Sequence, residues 1–119
     1  MRADPRPKRG EVWVVDFNPT RGAALYKGWP AVVISSDGVG VPPVKLVVAV
    51  TEWQEKFASD VRHEKVEAPT GSGLDKTSAA DAMQVVCDST ERFKRRVGYL
   101  PADLVEEIAA AIATVIEFQ

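Results

Sequence analysis

The stretch from Asn18 to Trp29 carries two cations, Arg21 and Lys27, and two large aromatic side chains, Tyr26 and Trp29. A guanidinium and an ammonium attract an anion, and flat rings stack on nucleobases. The set therefore suits an anion that bears stackable bases. Further along, Trp53 adds another ring, and Arg92, Lys94, Arg95 and Arg96 form a local basic run. Near a groove such a run follows a nucleic-acid backbone with salt-dependent affinity; elsewhere it is a solvated face. Other chemistries have little to build on. His63 is the single histidine, and no carboxylates cluster at metal-binding spacing, so no metal and no cofactor are expected. A single cysteine, Cys87, forms no internal disulfide, and the cytoplasm is the default compartment. Lying beside Val85 and Val86, it reads as a small buried hydrophobe in a strand.

These residues need elements to hold them. The run Val12 to Phe17 is rich in β-branched and aromatic residues, as a strand requires. Asn18 to Gly22 breaks it with turn residues, and Pro30 precedes a second run, Ala31 to Ser35. That run is almost continuously apolar and should be buried on both faces. The simplest reading is two antiparallel strands joined by a long loop, Asn18 to Trp29, and a loop that long in a small domain is usually functional or disordered. Lys45 to Thr51 is a third strand, antiparallel to the second. Glu52 to Ser59 reads as a polar loop, Val61 to Ala68 as an exposed or edge strand, and Ala82 to Cys87 as another strand. Ser89 to Arg96 reads as a helical turn or connector. Pro101 to Phe118 is the one long helix, with Leu104, Ile108, Ala111, Ile112, Val115 and Ile116 at helical spacing.

At 119 residues, with 45% hydrophobic and 27% charged residues, the chain fits one soluble domain. We place that domain at residues 9–119, after a basic, proline-containing arm at residues 1–8 that reads as disordered rather than as a secretory signal. No stretch approaches a transmembrane helix, so no membrane partner is expected. A formal net charge of −2 gives no global basic signature. A nucleic-acid site must then be a local patch.

Three segments carry a resemblance: Arg9-Gly10-Glu11-Val12-Trp13, then Val15-Asp16-Phe17-Asn18-Pro19-Thr20-Arg21-Gly22, then Pro30-Ala31-Val32-Val33-Ile34-Ser35. Together they resemble the opening of the MazF/PemK (Kid) family, the toxins of bacterial type II toxin–antitoxin pairs. The similarity continues through Thr51, Gly73-Leu74, Ser78, Gln84, Gly98-Tyr99-Leu100 and the terminal helix, across nearly the whole chain. The opening is fairly specific; the later matches are single residues. The resemblance implies a mainly β fold with α: a strongly bent antiparallel sheet, SH3-like and partly barrel-like (the CcdB/MazF type), with a C-terminal helix. It also implies a homodimer. The implied partner is a MazE-like antitoxin whose acidic, disordered tail folds across the toxin on binding, the pair being a candidate for DNA-binding autoregulation.

The implied activity is sequence-specific, metal-independent cleavage of single-stranded RNA, an mRNA interferase reaction. The 2′-hydroxyl attacks the adjacent phosphate and leaves a 2′,3′-cyclic phosphate and a 5′-hydroxyl end. Thr51, at the end of the third strand, matches the family's catalytic threonine; without the resemblance it would read as an ordinary strand-end threonine. The family's arginine is replaced by Trp29, whose only polar donor is its indole N–H. The glutamate and glutamine that usually precede it are lost at Gly22-Ala23-Ala24-Leu25, and Asp81, Met83 and Val86 stand where some members carry further catalytic groups. Lys27 or Arg21 could restore a cation, so the catalytic set is Thr51, Lys27 and Arg21. The RNA-binding set is Asn18, Thr20, Trp29, Trp53 and Gln84. The alternative is a binding module on the same scaffold, gripping an antitoxin, RNA or a gyrase-type target without cutting.

Overall fold

The computed structural model describes residues 6–16, 28–39 and 43–118. Among them six strands form one sheet: β1 (Glu11–Val15), β2 (Trp29–Val33), β3 (Val44–Glu52), β4 (His63–Val66), β5 (Ser78–Ser89) and β6 (Phe93–Tyr99). Their spatial order is β4-β5-β3-β2-β1-β6, and every pairing is antiparallel. One helix, α1 (Ala102–Val115), follows. The expected mainly β architecture with a C-terminal helix is the observed one.

The continuous apolar run in the second strand has the predicted cause. Ala31, Val32 and Val33 are fully buried because both faces of the sheet are covered. On one face Val12, Val32, Val48, Val50 and Val66 pack with Leu100 and with Val105 and Ile108 of α1. On the other, Val15, Ala31, Val33, Val47 and Phe93 form a second cluster flanked by Trp13, Trp29 and Ala49. Trp13 is fixed there by its indole N–H, which donates to the Glu11 carboxylate at 2.9 Å, and by an edge-to-face contact with Phe93.

Irregularities bend the sheet. Between Val48 and Val50 the register against β5 jumps from Val85 to Ala80, so Asp81 to Gln84 bulge opposite Ala49. The β1–β6 pair carries two further shifts. Bulges of this kind add twist and curvature. The strands at the two ends of the order, β4 and β6, are tied by the turn after β4: the Tyr99 amide donates to the Gly71 carbonyl at 2.9 Å, and Leu74 joins the helix-side core. That tie makes the sheet partly barrel-like.

Several boundaries differ from the sequence reading. Trp29 and Pro30 belong to β2, paired with Val15 and Val14, rather than to the loop before it. Glu55–Ser59 forms a short 3-10 helix within the expected polar loop. Of the stretch read as a helical turn or connector, Thr90–Arg92 is one 3-10 turn, as expected, but Lys94, Arg95 and Arg96 lie in the edge strand β6. Cys87 is in a strand, as expected, but exposed rather than buried, opposite the half-exposed Leu46. The helix ends at Val115, leaving Ile116 exposed, and Val105 takes a fully buried place. Just ahead of Arg9, Pro7 is buried, and the Lys8 amide donates to the Glu11 carboxylate at 2.8 Å.

The contact of α1 with β4 places two carboxyls together. Burial, then a hydrogen bond that the protonated Glu64 carboxyl donates to Glu107 and repulsion by the Glu107 charge, hold the Glu64 carboxyl above its usual range. A carboxyl whose folded pKa is raised favours the native state while protonated. That advantage is complete below the unfolded value of about 4.3 and is lost as pH rises through the raised folded value. Glu64→Gln should therefore raise the melting temperature at neutral pH and change little below about pH 4. Equal effects at both pH values would count against this linkage.

Candidate functional site

Gly28, Trp29 and Pro30 at the start of β2 face Val50, Thr51 and Glu52 at the end of β3 across an open cleft of about 460 Å³, with Lys76 and Ser78 closing it. Each wall has a local cause. Strand alternation puts Thr51 on the face opposite Val50, the face that holds Ala49 and Trp29. The β2–β3 register ends at Ala31 opposite Ala49. One step beyond, the Trp29 indole N–H donates to the Val50 carbonyl at 2.8 Å and extends the seam with a side chain. The ring is thereby fixed beside Thr51.

The third wall comes from the start of β5, where Thr51 pairs with Ala79 and Glu52 with Ser78. The Trp53 amide donates to the Thr77 carbonyl at 3.1 Å, and the Ser78 hydroxyl to the Lys76 carbonyl at 2.9 Å. These bonds hold the backbone of Lys76 against the end of β3. Its ammonium lies 3.7 Å from the Glu52 carboxylate. Among the described residues lining the cleft, Lys76 is the one cation and Glu52 the one carboxylate. The arrangement offers a hydroxyl, an ammonium, a carboxylate and an aromatic wall.

Of the residues singled out from the sequence, Trp29 and Thr51 meet in this cleft. Asn18, Thr20, Arg21 and Lys27 lie outside the described residues. Trp53 is not a lining residue: its N–H donates to Glu55, its ring packs edge-on against Phe57, and Lys65 sits 5.2 Å over it. Gln84 is exposed in the β5 bulge. The basic run is largely neutralised, with Arg92 of the 3-10 turn on Asp88 and, on β6, Lys94 near Asp16 and Arg96 on Glu11.

Sequence reasoning missed Lys76 and Glu52. Neither sits in a motif, and only the β3–β5 register joins them. It also missed a polar cluster next to the bulge. Arg62 grips Asp81 through two bonds of 2.8 and 2.6 Å, and His63, stacked on Phe57, lies between Asp60 and Asp81. Burial alone would raise the Asp81 carboxyl. The Arg62 bonds, the Met83 amide and the nearby charges outweigh it and hold the group below its usual range. No group of three or more potential metal ligands occurs among the described residues, and no helix among them is long and apolar enough to cross a membrane.

Comparison with known proteins supplies the context. The family profile described as PemK-like, MazF-like toxin of type II toxin-antitoxin system matches residues 8–116. Endoribonuclease MazF9 of Mycobacterium tuberculosis is 30% identical over 108 residues, spanning 88% of this chain and 92% of that protein. Among solved structures, a MazE–MazF complex from Deinococcus radiodurans superposes with a TM-score of 0.74 at 19% identity, covering 98% of this chain and 100% of that one. A mycobacterial endoribonuclease in complex with its cognate antitoxin gives 0.74 at 16% identity, covering 95% and 97%. At those identities the structures show a shared fold.

Proposed function

The chain belongs to the PemK-like, MazF-like toxins of type II toxin–antitoxin systems, and on that premise we propose that it is a sequence-specific endoribonuclease of single-stranded RNA. The observation that carries this reading is the cleft in which Thr51 shares a wall with Trp29, Lys76 and Glu52. A phosphodiester seated there places its phosphate against the Thr51 hydroxyl and an adjacent base against the indole. The RNA 2′-oxygen bonds to phosphorus and the bond to the 5′-oxygen breaks. The 2′ proton passes to the Glu52 carboxylate and the leaving oxygen takes a proton from solvent, giving a 2′,3′-cyclic phosphate and a 5′-hydroxyl. Lys27, which precedes Gly28, and Arg21 are further cations for the RNA, with Asn18, Thr20, Trp53 and Gln84 as its outer contacts.

The reaction uses no metal. Purified protein incubated with a long unstructured RNA in excess chelator should cut as it does with magnesium, and mapped ends should carry cyclic phosphate and 5′-hydroxyl. Activity abolished by chelator and restored by magnesium would sink the mechanism. We assign the working form as a cytoplasmic homodimer. Its partner is an antitoxin with an acidic disordered tail, a reading supported by the antitoxin-bound relatives of the same fold. A monomer in sedimentation at micromolar concentration would count against the dimer.

One observation favours a second reading. Trp29 holds the position of the family's arginine, and its N–H is engaged by the Val50 carbonyl. On that ground the same scaffold serves as a binding module without cleavage. Mapped RNA ends separate the two.

A further inference from the structure

We propose that Lys76 contacts the scissile phosphate of a bound RNA and supplies the positive charge that Trp29 does not. The inference rests on the nuclease reading above. Charge develops on the non-bridging phosphate oxygens during transesterification, and a preorganised cation there is a large electrostatic contributor to rate. Among the described residues, the cleft contains one such group, on the wall formed by the start of β5.

The geometry gives Lys76 a fixed base and a mobile tip. Its carbonyl accepts from Ser78, its neighbour Thr77 accepts from the Trp53 amide, and Ser78 is in register with Glu52. Upstream, Leu74 is packed in the core. The ammonium itself is loosely held: it lies 3.7 Å from Glu52, and the two side chains are 66% and 70% exposed. An ion pair so exposed is worth little against water. A phosphate entering the cleft can take the ammonium from Glu52 without breaking a buried contact, and the carboxylate is then free to accept the 2′ proton. Lysine acts here as a point charge, so the contact tolerates a range of phosphate positions but lacks the two-pronged grip of an arginine.

The test uses the full chain and the variants Lys76→Met, Lys76→Arg, Trp29→Arg and the Lys76→Met/Trp29→Arg pair, with thermal unfolding to confirm that each is folded. Two readouts are taken. One is the salt dependence of binding to a random-sequence 2′-O-methyl RNA, which has no attacking hydroxyl. The other is single-turnover cleavage of a long transcript. Lys76→Met should flatten the slope of log affinity against log salt by about 0.7, the value for one lost single-strand phosphate contact. It should also slow cleavage by about 100- to 1,000-fold. Lys76→Arg should keep the wild-type slope and most of the rate, and the double variant should regain both. A wild-type slope for Lys76→Met overturns the proposal while leaving the nuclease reading intact if the variant still cuts. A flattened slope with undiminished cleavage removes Lys76 from the scissile phosphate. A flattened slope with no cleavage by any variant keeps the phosphate contact and removes the nuclease. Failure of the wild type to bind the RNA ends both.

Discussion

Thr51→Ala should cut RNA about 100- to 1,000-fold more slowly than wild type, the loss typical of one preorganised donor at a developing charge. Fold and antitoxin binding should be essentially unchanged. Thr51 is the last residue but one of β3, and the residue before it, Val50, is anchored in the core. The side chain itself is only partly buried at the cleft wall. Removing its hydroxyl subtracts chemistry without opening a cavity. Thr51→Ser retains the hydroxyl and should stay within about tenfold of wild type, since one donor remains in place. The companion variant is Trp29→Arg. It gives up the bond to the Val50 carbonyl and brings a guanidinium into the same cleft, so cleavage should rise. The measurement is single-turnover cleavage of a transcript pool in chelator, with unfolding curves alongside. Wild-type rates in Thr51→Ala would remove the threonine from the mechanism. A pool left uncut by both wild type and Trp29→Arg would favour the binding module.

The sequence was most legible where side-chain chemistry and burial coincide. Val12 to Val15, Ala31 to Val33 and Lys45 to Thr51 are β-branched and apolar, and all lie in strands of the observed sheet. Lys94 to Arg96 hid a strand because β6 is an edge whose exposed positions break the apolar pattern. Ser78 to Asp81 hid the start of β5 because small residues carry little strand signal. The site was half legible. Thr51 and Trp29 could be marked by resemblance, yet their meeting depends on an indole extending the β2–β3 seam. Lys76 could not be marked at all. In sequence it is one lysine in a turn-rich stretch, and its place follows from a register that pairs Ser78 with Glu52. Non-local pairing of this kind leaves no periodic trace. The same holds for Arg62 and Asp81, which meet across the β4–β5 pair.

Gly73→Ala should be among the most destabilising single substitutions in the chain, by about 2–5 kcal/mol, from forcing a side chain into left-handed backbone and into an occupied volume. Gly73 has a φ of +77°, and a Cβ there would collide with the Val97 carbonyl oxygen and lie 2.7 Å from its carbon. The obstacle is the backbone of β6, which cannot swing aside as a flexible side chain would. This turn ties the β4 side of the sheet to β6, through the bond from the Tyr99 amide to Gly71. It also leads, three residues on, to Lys76 at the cleft. Loosening it should therefore weaken both closure of the sheet and placement of the ammonium. Cleavage per folded molecule should fall along with stability. Gly38→Ala is the control, because its nearest neighbour would be 3.6 Å away, an ordinary contact, and its φ is not positive. Urea unfolding of the two variants measures the difference. If Gly73→Ala stays within about 0.5 kcal/mol of wild type, the range of an unremarkable surface change, the turn does not bear on β6 as described and the sheet closes by other means.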